Sequence, residues 1–158
     1  MTPNAAAFLA MISHSEGTDR SIDPYRVCYG YKHVIRDLSD HPVSTGEWKG
    51  EALFTLGKKY EHSISTAAGK YQLIHPTWVA LKARLKLANF SGPAQDDAAL
   101  ELIKEHGALE AVNAGALEAA ISLCVNIWAS LPGSGSGQPE TAFASLQNAY
   151  RVAGGLLA

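Results

Sequence analysis

One carboxyl group carries the clearest chemistry this chain offers. Glu16 stands in Ser13-His14-Ser15-Glu16-Gly17-Thr18, at the end of an apolar helical pattern in which Ala5, Leu9 and Ile12 recur. At about 100° per residue these side chains and Glu16 share one helix face, so an acid continues a buried stripe. Gly17 is the residue expected to stop the helix. Glu16 then lies at the negative end of the helix dipole, and both that position and burial disfavour its ionised form. A carboxylic acid that keeps its proton near neutral pH can act as a general acid. This helix alone leaves a second account open, in which Glu16 is a surface residue on a frayed last turn or a partner for Arg20.

A second chemically suggestive stretch is Ser65-Thr66-Ala67-Ala68-Gly69-Lys70-Tyr71-Gln72-Leu73, followed by Ile74-His75-Pro76-Thr77-Trp78. Small residues let a backbone or a ligand approach closely. Tyr71 offers a flat ring with a polar tip, suited to a sugar face, and Gln72 offers a donor and an acceptor, suited to an acetamido group. Composition alone equally describes a tight helix start packed under the core.

Other chemistries find less support. Asp37-Leu38-Ser39-Asp40-His41-Pro42, with His33 nearby, gathers residue types that bind metals, but the spacing matches no standard ligand motif and reads as turn chemistry. A Ser/His/Asp triad is not excluded by counting residues, yet no Gly-x-Ser-x-Gly elbow supports it. Cys28 and Cys124 lack the local signature of a thiol nucleophile and are expected as free thiols, with Cys124 packed as a small hydrophobe. The run Gly133-Ser134-Gly135-Ser136-Gly137 lacks the lysine and the preceding strand of a phosphate loop.

The elements that must position these groups follow from periodicity and punctuation. Thr2 and Pro3 open a first helix that runs to about Ser15. Between Gly17 and Leu56, Tyr25, Val27 and Tyr29 alternate with polar residues, which predicts short strands, a hairpin and long loops. A further strand is expected near Leu53-Phe54. From Thr66 the chain turns helical. A short helix is expected over Ala67 to Leu73, then one from Pro76-Thr77 with Trp78, Leu81 and Leu85 on one face. Ser91 to His106 is the next, ended by Gly107. Gly115 to Ala129 reads as a central buried helix with Trp128 in the core. The last starts at Pro139 and ends at Gly154-Gly155. One helix, a β-rich lobe and a helical lobe make a single α+β domain over 1–158, and such a domain leaves a cleft between its lobes.

Composition narrows the partners. A net charge of −2 implies no broad basic surface, which argues against nucleic acid. No apolar run approaches the ~20 residues needed to span a bilayer, and the N-terminus lacks the pattern of a signal peptide.

Several motifs in order resemble the lambda-type lysozymes. They are Ala7-Phe8-Leu9, Ser15-Glu16-Gly17-Thr18, Ser39-Asp40-His41-Pro42, Ser65-Thr66 with Gly69 and Tyr71-Gln72-Leu73, Lys104-Glu105 with Gly107-Ala108-Leu109, and Asn126-Ile127-Trp128-Ala129-Ser130-Leu131-Pro132-Gly133. The resemblance runs over nearly the whole chain. It implies a lysozyme-like fold of two lobes with a substrate cleft. It also implies a lytic transglycosylase that cleaves peptidoglycan between N-acetylmuramic acid and N-acetylglucosamine and leaves 1,6-anhydro ends. Glu16 would be the catalytic residue, and Thr66, Tyr71, Gln72 and Asn126 the candidates for the cleft wall. Asn126 is equally readable as a buried polar residue tying the central helix to a loop. No cofactor or metal, no nucleic-acid partner and no stable membrane association is implied. The expected partner is the peptidoglycan glycan strand, and the expected state is a monomer. It would be held in the host cytoplasm until a phage holin releases it to the wall.

Two departures stand out. Arg26 aligns with an aspartate of the family's Tyr-Asp-Val, and Ser136 stands where one member of the family has tyrosine. A hydrolytic muramidase of the same fold would need a second acid, for which Asp19, Asp23, Asp37 and Asp40 are available. An inactive peptidoglycan-binding protein is the alternative of another class.

Overall fold

Thr2 opens the first helix, α1 (Pro3–Ser15), by accepting the Ala5 N–H at 3.1 Å, with Pro3 at the first helical position. The computed structural model describes residues 1–53 and 63–158. Among these, a two-residue antiparallel ladder joins β1 (Glu51–Ala52) to β2 (Ile64–Ser65), with Glu51 opposite Ser65. The remaining helices are α2 (His75–Leu85), α3 (Gly92–Glu105), α4 (Leu109–Ala114), α5 (Leu117–Cys124) and α6 (Phe143–Val152).

The chain forms two units. One comprises Met1–Arg20 and Ala99–Ala158, the other Ser21–Ala98. In the first, α1 packs against α4 and α6. Phe8, Met11, Ile12, Ile103, Leu131 and Leu146 are fully buried there. Burying each such side chain contributes roughly 1.5–3 kcal/mol against solvent exposure.

In the second unit Trp78 on α2 meets Phe90 edge to face at 4.6 Å between ring centroids, and His41 meets the same ring at 5.1 Å. Gln95, fully buried, links three backbone segments: it accepts the Lys70 N–H at 2.9 Å and donates to the carbonyls of Tyr25 and Phe90 at 3.0 and 2.8 Å. This contact leaves no room at Gly69, where a Cβ would strike the Gln95 amide and φ is +78°.

Several expected elements differ. Tyr25 to Tyr29 forms no strand. Pro24 and the Asp23 carboxylate, which accepts the Tyr25 N–H, start a 3₁₀ turn over Pro24–Arg26. Only isolated bridges follow, Val27 to Val34 and Cys28 to Ala68. Ala67 to Leu73 is no helix but a tight reversal, with Ala68 bridged to Leu73 and both Gly69 and Gln72 at positive φ. The strand expected at Leu53-Phe54 lies just upstream as β1, and Phe54 falls outside the described residues. The central helix stops at Cys124, before Val125 and Asn126, both weak helix formers. The last helix starts at Phe143 rather than Pro139, because the Thr141 N–H is held by the Ser130 carbonyl at 2.7 Å.

His41 gives this fold an acid limit. Its ring is fully buried; Nδ1 accepts the Val43 N–H, so Nε2 carries the hydrogen and donates to the Leu73 carbonyl at 3.2 Å. Burial pushes its pKa down from 6.5 to about 4. The unfolded chain therefore binds a proton at a higher pH than the folded one, and stability falls as pH drops from 6.5 towards 4. We expect up to about 3 kcal/mol to be lost across that window, and His41→Asn to flatten the dependence in denaturant titrations at stepped pH.

Candidate active site

The site is built from the end of α1. Glu16 caps the helix with its N–H on the Ile12 carbonyl at 2.9 Å, and Gly17, at φ +73°, turns the chain out. The turn is not frayed. Two cross-turn hydrogen bonds bracket Glu16: Ser13 Oγ to Thr18 Oγ1 at 2.8 Å, buried, and His14 Nδ1 to Asp19 Oδ2 at 2.7 Å. Thr18 donates back to the Ser13 carbonyl at 3.2 Å, so Ser13 is the donor in the hydroxyl pair.

The Glu16 carboxyl receives a hydrogen bond from Ser130, Oγ to Oε1, at 2.6 Å. Ser130 lies in the turn after α5, 114 residues away. Burial raises the Glu16 pKa from 4.5 to about 7, and the Ser130 hydroxyl, which favours the anion, pulls the other way. The residue still retains some accessible surface. An acid in this state is divided between its two protonation forms near neutral pH and can both give and take a proton.

The candidate second carboxylates are otherwise engaged. Asp19 binds His14. Asp23 binds Arg26 and the Tyr25 N–H. Asp37 accepts the Ser39 N–H, and that bond holds its pKa below the ordinary carboxylate value. Asp40 accepts Trp78 Nε1 at 2.8 Å and Lys82 Nζ at 2.6 Å. Burial raises the Asp40 pKa, but these partners outweigh it and the net shift is downward. Arg26 donates to the carbonyls of Ile35 and Arg36 and so braces its own loop.

The four expected wall residues have different environments. Asn126 is exposed in the turn after α5, which sets aside the account of it as a buried tie. Thr66 is half-buried and accepts the His75 N–H at 3.1 Å, at the start of α2. Gln72 is half-buried, and its amide donates to the Gly69 carbonyl at 2.9 Å. Tyr71 is fully buried, and its hydroxyl donates to Asp96 at 2.5 Å. A ring without accessible surface presents no face to a sugar, so Tyr71 supports the second unit from within. Lys70, above the rings of Tyr25 and Tyr71, completes that cluster. Ser136 turns its hydroxyl to the Ala129 carbonyl.

The competing nucleophiles fare as follows. Cys28 and Cys124 are buried, and burial pushes both thiols up to about 12, with Glu47 adding to the effect at Cys28. His14 contacts Asp19 through Nδ1 and Ser145 through Nε2 at 2.9 Å, the order of a triad. Ser145, however, sits two residues from both Phe143 and Gln147, which line an adjoining cavity, and so points to the other side of α6. We assign this array to bracing α1 against α6. The Asp37–His41 cluster and His33 are distributed among internal partners, His33 going to Glu47 at 3.0 Å.

A buried helix-terminal acid, held by a distant serine, invites comparison with known wall-cleaving enzymes. The profile of the Endolysin family matches residues 6–157. The chain belongs to the endolysin family. The endolysin of Escherichia phage P2 is 40% identical over 161 residues, covering 97% of this chain and 94% of that protein. The endolysin of Escherichia phage lambda is 42% identical over 154 residues, covering 94% and 90%. Among solved structures, bacteriophage lambda lysozyme complexed with a chitohexasaccharide matches at a TM-score of 0.87 and 39% identity, over 100% of this chain and 98% of that one. A second lambda lysozyme structure matches at 0.83 and 38%, with the same coverage. The endolysin described here therefore has the lysozyme-like α+β fold and is a peptidoglycan-cleaving enzyme of phage lysis. Ser130, the hydrogen-bond partner of Glu16, is a residue of the site that the sequence did not single out. It lies inside the Asn126–Gly133 run, but nothing local to that run points to Glu16.

Proposed function

We propose that this endolysin is a lytic transglycosylase acting between N-acetylmuramic acid and N-acetylglucosamine, with Glu16 as its one catalytic acid and base. The observation that carries this reading is the Glu16 carboxyl held near pKa 7 by burial against the Ser130 hydroxyl. Protonated Glu16 gives its proton to the glycosidic oxygen as the bond breaks. The resulting carboxylate takes the proton from the C6 hydroxyl of the muramic sugar, which closes on C1 to form the anhydro ring. Glu16 ends as it began, and no water is consumed. Hydrolytic glycosidases commonly need a second carboxylate. The engagement of Asp19, Asp23, Asp37 and Asp40 with internal partners favours the one-acid route.

Asn126, exposed, and Thr66 and Gln72, half-buried, remain the proposed glycan contacts. The enzyme acts as a monomer, without cofactor, metal or nucleic acid. It is held in the host cytoplasm until a holin admits it to the wall. No helix among the described residues is long and apolar enough to cross a membrane.

Borohydride reduction of digested sacculi tests the chemistry, because an anhydro end has no free aldehyde to reduce. Clearing of turbidity without new reducible ends is expected. New reducible ends in step with clearing would make the enzyme a hydrolase. Binding to sacculi without clearing would make it a binding protein.

A further inference from the structure

We propose that Ser130, aimed by Ser15, is a positioning residue that fixes which oxygen of Glu16 carries the transferable proton. The inference rests on Glu16 being the catalytic acid and adds how that acid is oriented. Ser130 has one hydroxyl hydrogen, and it is donated to Glu16 Oε1 at 2.6 Å. The same Ser130 oxygen lies 2.8 Å from Ser15 Oγ. With its own hydrogen engaged, Ser130 can only accept there, so the chain runs Ser15 to Ser130 to Glu16. A proton on Glu16 cannot share the space between Oε1 and Ser130, and it therefore sits on Oε2.

The chain is held in register at both ends. The Ser130 carbonyl accepts the Thr141 N–H at 2.7 Å, and the Thr141 hydroxyl donates to the Ser15 carbonyl at 3.4 Å. Ser15 is buried, and its hydroxyl has no other hydrogen-bond partner among the described residues. Reversing the chain would strand its hydrogen without an acceptor. Proton delivery thus has one direction, set by two serines far apart in sequence.

Other ionisable groups lie on the elements packed against α1: Asp19 and Arg20 on the 3₁₀ turn Thr18–Arg20 that follows it, Glu110 on α4 and Arg151 on α6, with Glu140 in the loop after Ser130. Asp19 is paired with His14, and Glu140 accepts the N–H groups of Gly133 and Gly135. Burial raises the Glu16 pKa, and the Ser130 hydrogen bond opposes that rise.

The test is the pH profile of kcat/KM on purified sacculi, beside a direct carbon NMR titration of Glu16. Removing a hydrogen bond to the anion disfavours deprotonation. Ser130→Ala should therefore move the alkaline limb and the Glu16 midpoint up by about one pH unit, with kcat lower. Ser130→Thr, which restores the hydroxyl, should return both. Ser15→Ala should move both in the same direction by less, and it serves as the test if Ser130→Ala does not fold. A merely structural serine would lower the unfolding temperature and leave limb and midpoint where they were. That result, with Glu16→Gln inactive, overturns the relay and leaves Glu16 as the acid. If Glu16→Gln stays active, the catalytic reading itself fails, and an unmoved midpoint still separately refutes the hydrogen-bond assignment.

Discussion

Glu16→Gln is expected to abolish lysis while making the protein more stable at neutral and alkaline pH. Glutamine keeps the shape of the side chain and can still accept from Ser130, but it has no proton to deliver. General acid–base catalysis by a positioned side chain is worth about 10²–10⁴-fold, and on the proposed route one group performs both steps, so the loss should reach the upper part of that range. The stability effect follows from the raised pKa. The folded protein holds the Glu16 proton up to about pH 7, whereas the unfolded chain releases it near 4.5. Between those values the unfolded state binds fewer protons, so wild-type stability declines as pH rises through the window. Below about pH 4.5 the wild type and Glu16→Gln should unfold alike; above about pH 7 the variant should be more stable, by at most about 3 kcal/mol. Denaturant titrations at pH 4 and pH 8, read beside turbidity clearing, check both halves. A variant that loses stability at every pH would mean that Glu16 holds the helix end rather than strains it.

The second large effect is expected at Tyr71, as a stability loss rather than a defect in substrate binding. Tyr71→Ala empties a fully buried site and should cost about 3–5 kcal/mol. Tyr71→Phe keeps the ring and removes the hydroxyl with its hydrogen bonds, the one to Asp96 among them, for about 1–3 kcal/mol. That bond and burial together hold the phenol far above its ordinary pKa, so the hydroxyl remains a donor throughout the working range. The folded Tyr71→Phe enzyme should keep its kcat and its KM for glycan. A raised KM with an unchanged unfolding temperature would restore Tyr71 to the substrate surface.

Tyr71 also shows where sequence reasoning stops. An aromatic ring beside a glycine and a glutamine looks the same whether it faces a sugar or a core. The difference lies in Gln95 and Asp96, more than twenty residues downstream, which fill the space behind the turn. The same turn was expected as a helix, and it is Gly69 at positive φ, pressed against Gln95, that breaks it. By contrast, the place of Glu16 at the end of a helix is a local signal, although choosing the buried acid over a frayed surface turn takes the motifs further along the chain. The apolar stripe, Gly17 as the stop and a carboxyl on the buried face are all local signals, and the observed cap matches them. The helical half of the chain was largely legible for the same reason, since its periodicity is internal to each segment. The alternation of Tyr25, Val27 and Tyr29 misled because Pro24 and Asp23 set a turn that outweighs a three-residue pattern. Ser130 was out of reach altogether, because its meaning for Glu16 arises only when the turn after α5 returns to the end of α1.

On the proposed route one carboxyl group completes the reaction without water. Digesting purified Gram-negative sacculi in water enriched in heavy oxygen, followed by mass spectrometry of the soluble muropeptides, measures this directly. Products lighter by one water than hydrolysed species and free of the label are predicted, because the C6 hydroxyl closes the ring under Glu16. One labelled oxygen at each new end would contradict the account, assign the enzyme to hydrolysis and require a second catalytic group beside Glu16.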